Sequence, residues 1–273
     1  MAPLDHERYC AAITTETNLL RATLRGADLD RQVPTCPDWT LRQLAVHVGQ
    51  AHRWAGEMVR IRATDELAED DEHIPGFTPP PGDDVLDGWL AEGAEVLVAA
   101  LREAGPEQEV WTWHGPHRAA FWSRRMAVET LVHRADAALG AERPYAAEAD
   151  LAADGLDEWL DLVTDPEQVA GDPELHELLG TGQTLHLHAT DVPGAEWLIV
   201  RGPERIEVRR DHAKADVALR ASLTDLLLVF QRRLPLDSER LEILGDRALL
   251  DHWLERTRFG SSEEDEEQPP AAG

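Results

Sequence analysis

The sequence predicts two architectures in series, a helical bundle followed by a mixed α/β domain. Three observations carry that reading. Four long stretches before Gly140 show helical apolar periodicity with no strand run among them. Strand-like alternation begins only after Gly180-Thr181-Gly182. Turn pairs, Pro193-Gly194 and Gly202-Pro203, then punctuate the second half. The 273 residues, 42% of them hydrophobic, suffice for two cores.

The first helix is expected over 5–25, with Tyr9, Ile13, Leu20 and Leu24 on its apolar side. A loop bracketed by Pro34 and Pro37 follows. Thr40 and Gln43 then form a capping-box pattern, with Trp39 and Leu44 spaced as a hydrophobic staple, so a second helix is expected over 40–62. Residues 65–83 are acidic and then proline-rich, and read as a long loop, a lid or a solvated insertion. A third helix is expected over 84–104. A fourth is expected over 119–139, with the apolar stripe Phe121, Val128, Val132, Ala135 and Leu139. Helical pattern returns at 148–163. Strands are expected at 183–189, 196–201, 204–210 and 215–221, a helix at 223–234, a strand at 241–244 and a last helix at 247–257. The domain division is expected at 1–145 and 146–259, with 260–273 an acidic, low-complexity, disordered tail.

The chain carries 26 Lys+Arg against 53 Asp+Glu, a formal charge of −27. The five acidic residues 263–267 leave the rest at −22, so the excess belongs to the folded body too. Such a surface repels nucleic acid and anionic membranes. Two cysteines, Cys10 and Cys36, are too few for a disulfide scaffold. The sequence opens without a signal-peptide pattern and contains no membrane-length apolar run, so a cytoplasmic location is expected.

Three residues suggest chemistry. His47 lies in the middle of an apolar helix face with Leu44, Ala51, Trp54 and Met58. Glu129 and His133 share one side of the fourth helix, beside Trp122 and Met126. Singly, His47 reads as a buried neutral histidine and Glu129–His133 as an ordinary i,i+4 pair. Together they are two nitrogens and one carboxylate from two helices, the ligand set of a zinc site with an open fourth position. His186 and His188 share a strand face with Asp191 just beyond, which suits a second metal site or a structural wall. His114 and His117 lie in a loop before the fourth helix, at a site's mouth or in solvent. Cys36 reads as a packed small residue, and Trp39, Trp54 and Trp122 as pocket wall or core.

Several segments together resemble the mycothiol-dependent maleylpyruvate isomerase family, a DinB-like group. They are Cys36-Pro37-Asp38-Trp39-Thr40 with Leu44–Gly49, then Ala127–Asp136, His186–Asp191 and Leu244–Leu250. The resemblance spans about residues 5–258. It implies a DinB-like four-helix bundle followed by a small sterol-carrier-like α/β domain. It implies zinc held at the positions of His47, Glu129 and His133, with mycothiol as thiol cofactor. It also implies a functional arginine in the second domain, for which Arg232 and Arg233 are the nearest matches by position. Those two read equally as helix C-terminal cations, with Arg125 and Arg134 as alternatives for an anionic substrate.

The resulting expectation is a zinc enzyme that turns a low-molecular-weight thiol on an electrophilic small molecule, by cis–trans isomerisation or S-transfer. The alternatives are a zinc-hydroxide hydrolase and a non-catalytic DinB-like binding module. A monomer or homodimer is expected.

Overall fold

The computed structural model describes residues 4–257. The chain divides into two compact units, one of residues 2–151 and one from Ala152 onward. The first contains α1 (His6–Leu24), a two-stranded hairpin of β1 (Gln32–Val33) and β2 (Cys36–Thr40), α2 (Leu41–Ile61), α3 (Asp83–Ala104) and α4 (Ala119–Gly140). Helix α5 (Ala149–Thr164) begins at the end of this unit and continues into the second.

In the bundle α2 packs on α3, α1 on α3 and α4, and α2 on α4. Helix α2 starts where its capping box requires: Thr40 Oγ1 accepts from the Gln43 amide, and the Gln43 side chain accepts from the Thr40 amide at 2.8 Å. Trp39 packs against the core cluster that contains Leu44. The α2–α3 contact depends on Gly49. A Cβ there would lie inside the Trp89 indole. Beside it, the buried Arg53 stacks 4.1 Å over the Trp89 ring and donates to the Gly49 and Trp89 carbonyls.

Helix α4 departs from the striped pattern expected of it. It is buried on nearly every side, including Ser123, Arg125, Thr130, His133, Arg134 and Asp136, while Leu139 is exposed. Its polar residues are therefore interior groups that need partners. Arg134 pairs with the buried Glu16, donates to the Ala146 carbonyl at 2.8 Å and stacks on Tyr145. Those contacts make it a strut of the bundle. His52 on α2 is wholly buried. Its Nε2 donates to Thr130 Oγ1 at 2.8 Å, whose own hydroxyl donates to the Met126 carbonyl.

Residues 65–82 lack helix and strand, as expected, but the segment is not merely solvated. Ile74 and Phe77 are buried, and the indole N–H groups of Trp54 and Trp89 donate to the Leu67 and Gly76 carbonyls. The 32–40 region forms a hairpin where a plain loop is expected.

The second unit adds two short helices, α6 (Pro166–Gly171) and α7 (Pro173–His176), each started by an aspartate cap, that periodicity does not reveal. Then come β3 (Gln183–Ala189), β4 (Glu196–Arg201), β5 (Ile206–Arg209), β6 (Val217–Ala221), α8 (Leu223–Phe230), β7 (Glu242–Gly245) and α9 (Arg247–Arg256). The sheet order is β5-β4-β3-β6-β7. Only β3 and β6 are parallel, so the sheet is mixed. Helix α8 ends at Phe230, earlier than periodicity suggests, because Arg232 turns into the left-handed region at φ 59°. The tail expected to be disordered lies outside the described residues.

Gly49→Ala drives a methyl into Trp89, and this overpacking outweighs the gain in helix propensity. A loss of about 1–3 kcal/mol in denaturant unfolding is expected. Burial, with Arg53 adding to it, pushes the His52 pKa down from 6.5 to about 3. The unfolded chain therefore binds a proton that the folded one refuses. Stability is whole above about pH 6.5 and falls as the pH drops toward about 3, by on the order of 1 kcal/mol per unit. His52→Gln, compared across that window by urea midpoints, should flatten this acid limb.

Candidate functional site

His47 on α2 and Glu129 and His133 on α4 come together, with one ligand-type atom of each within 4.8 Å of the others. Glu129 is the centre. Its Oε1 lies 2.9 Å from His133 Nε2 and 3.2 Å from His47 Nε2. Its Oε2 accepts from Arg125 at 2.7 Å, one helical turn back. The two imidazoles stand edge to face, 4.9 Å between centroids. His47 is more than a third exposed, whereas His133 is buried. The group is thus reached from the α2 side.

Behind His133 stands a residue that sequence reasoning passed over. Asp136 is fully buried, and its Oδ2 accepts from His133 Nδ1 at 2.9 Å. Its Oδ1 accepts from Thr35 Oγ1 at 2.5 Å. This carboxylate fixes the imidazole's orientation and keeps a proton on Nδ1, so that Nε2 is the atom turned toward Glu129 and the one a metal would take. The signal was present as the i,i+3 step from His133 to Asp136 on one helix face. The loop partner Thr35 left no such trace. Cys36, expected only to pack, brings its Sγ within 4.8 Å of His133 and Asp136.

The electrostatics follow from desolvation opposed by pairing. Burial alone would raise the Glu129 carboxyl. The charges of His133 and Arg125, with hydrogen bonds from His133 and His47, hold it well below its usual value. Burial likewise opposes an imidazolium at His133, yet Glu129 and Asp136 raise it to about 9. An ion bound at Nε2 would displace that proton. Two imidazole nitrogens, one ionised carboxylate and an oriented Nδ1–H fit a divalent metal of the zinc type.

The other sequence candidates separate. The Trp39 ring lies tilted against the two imidazoles, 4.7 Å from His47 and 6.0 Å from His133 between centroids, so it walls the group. Trp54 and Trp122 instead pack on each other and on Trp111. His117 accepts the Thr112 amide through Nδ1, and His114 lies beside Trp113 and Phe121. Neither joins a metal-ligating group among the described residues. In the second unit Asp191 accepts the Leu223 amide at the start of α8 rather than joining His186 and His188. Arg232 is exposed and donates to the Leu254 carbonyl, and the half-buried Arg233 donates to the Gln231 carbonyl at 2.6 Å.

A family model described as the mycothiol maleylpyruvate isomerase N-terminal domain matches residues 10–138. The corresponding C-terminal domain model matches residues 150–252. Among solved structures, a mycothiol-dependent maleylpyruvate isomerase is similar at 17% identity, with a TM-score of 0.58 over 89% of this chain and 95% of that one. A histidine-to-alanine mutant of a mycothiol-dependent maleylpyruvate isomerase is similar at 18% identity, with the same TM-score and coverage. A search of curated proteins returned no match. Both solved structures share the fold. With its two domain models in order and spanning most of its length, the chain belongs to the mycothiol-dependent maleylpyruvate isomerase family.

Proposed function

We propose that this protein is an enzyme that holds a zinc ion through His47, Glu129 and His133 and uses mycothiol as a nucleophile toward an electrophilic small molecule. The solved relatives are named as maleylpyruvate isomerases, and the reaction proposed here is cis–trans isomerisation of an electron-poor double bond or S-transfer. One observation carries this reading: two imidazoles and a paired carboxylate from α2 and α4 converge within 4.8 Å in a chain of this family.

His47, Glu129 and His133 would hold the ion, which would supply the Lewis acidity that makes a thiol nucleophilic near neutral pH. The residues around it each have a task. Asp136 keeps His133 Nε2 directed at the centre. Arg125 holds one carboxylate oxygen of Glu129, which leaves the other facing the imidazoles. Trp39 lies against both rings as an apolar wall. Mycothiol would supply the nucleophile: reversible addition of its sulfur to an electron-poor double bond would let that bond rotate before the thiol is released. A substrate carboxylate would be met by Arg232 or Arg233, the two candidates in the second unit.

Zinc-loaded protein incubated with mycothiol and a panel of electrophiles, maleylpyruvate included, should yield isomers or thiol adducts by mass spectrometry. His47→Ala should abolish them. Products formed equally without thiol would favour hydrolysis and overturn this reading. Asp136→Asn should weaken zinc binding by about 10–100-fold in a chelator competition, with the helical content unchanged. Of Arg232→Ala and Arg233→Ala, one should raise KM for a carboxylate-bearing substrate by about tenfold, the loss of about 1.4 kcal/mol of binding.

A further inference from the structure

The second unit contains another convergence of metal-binding side chains, on the sheet face opposite its apolar core. Strands β3 and β4 pair antiparallel with His186 opposite Leu198 and His188 opposite Glu196. Their neighbours Leu185, Leu187, Trp197 and Ile199 point to the other face and are buried. His186, His188 and Glu196 therefore share one surface.

A third histidine reaches the same point from the segment between β5 and β6. That segment is tied at both ends. Arg210 stacks 3.9 Å over Trp197 and pairs with Asp157, and Asp216 accepts from the Thr184 amide and hydroxyl. Between these anchors His212 lies over the strands, with its ring 5.4 Å from His186 and 5.9 Å from His188.

All three imidazoles address one atom. Glu196 Oε2 lies 2.9 Å from His186 Nε2, 3.1 Å from His188 Nδ1 and 2.5 Å from His212 Nδ1. The four ligand-type atoms fall within 4.8 Å of one another. A tetrahedral ion with bonds of about 2 Å needs ligand atoms about 3–4 Å apart, so small side-chain rotations suffice. Arg220, opposite His188 on β6, is paired with Glu242 rather than with Glu196. His186 is buried and His212 exposed, so an ion has a way in from solvent.

From this geometry we infer a second metal site, distinct from the one on α2 and α4. It takes a zinc-type divalent ion through His186, His188, Glu196 and His212. Four protein ligands close the coordination sphere, which marks a structural rather than a catalytic site. Its role is to staple the segment 210–216 onto β3 and β4. The ligand set is rich in imidazole and lacks the several oxygens that calcium or magnesium require.

The test uses the full chain carrying His47→Ala and His133→Ala, which removes the first centre, so its outcome does not depend on the proposed function. After loading with zinc and dialysis, elemental analysis should find one zinc ion per chain. Adding His212→Ala, an exposed position that leaves the sheet intact, should remove it. Zinc should also slow hydrogen exchange in residues 210–216, and His212→Ala should abolish that protection. A double variant that retains no zinc, or zinc and exchange protection that survive His212→Ala, would overturn the inference.

Discussion

A carboxylate largely withdrawn from water must be paired, and the bundle gathers such partners around Glu129. It occupies a helix that is buried on nearly all sides, so each polar residue there needs a partner supplied by its neighbours. Arg125 and His133 supply charge from the same helix, and His47 reaches in from α2. Asp136 repeats the arrangement one step behind His133, with Thr35 closing the chain of contacts from the loop. Those pairings hold the donor atoms in place before any ligand arrives. The close α2–α3 packing over Gly49 and Trp89 fixes the helix that carries His47.

Much of this was legible in the sequence, and the reasons are local. The capping box Thr40–Gln43 sets the start of α2 without tertiary help, and the structure contains both of its hydrogen bonds. The i,i+4 step places Glu129 and His133 together on any helix, so only the meeting with His47 required the fold. What escaped was non-local. Periodicity marked one stripe on α4 because an interior helix with buried arginines, threonine and aspartate looks amphipathic when its ion pairs are invisible. Ile74 and Phe77 anchor the 65–82 segment, but two isolated apolar residues among prolines and acids make no pattern. His212 gave no signal, since an exposed loop histidine meets His186 and His188 only through strand register and the tethers at Arg210 and Asp216.

The acidity of the chain also has a structural side. Many of its arginines are occupied within the fold. Arg8 pairs with Glu148 and Asp150, Arg21 with Asp87, Arg53 with Glu92, Arg134 with Glu16, and Arg240 with Asp225. A net charge of −27 therefore favours neutral or cationic small molecules by long-range steering, and an anionic one must be won by contact. Among the described residues no helix is long and apolar enough to cross a membrane.

The proposed metal centre on α2 and α4, with an open position for a thiol, is best probed by absorption spectroscopy of the cobalt(II)-substituted protein titrated with mycothiol. A new thiolate-to-cobalt charge-transfer band should appear, saturate with one thiol per chain and be lost in the His47→Ala, His133→Ala variant. A cobalt spectrum that mycothiol leaves unchanged in the intact protein would contradict that proposal.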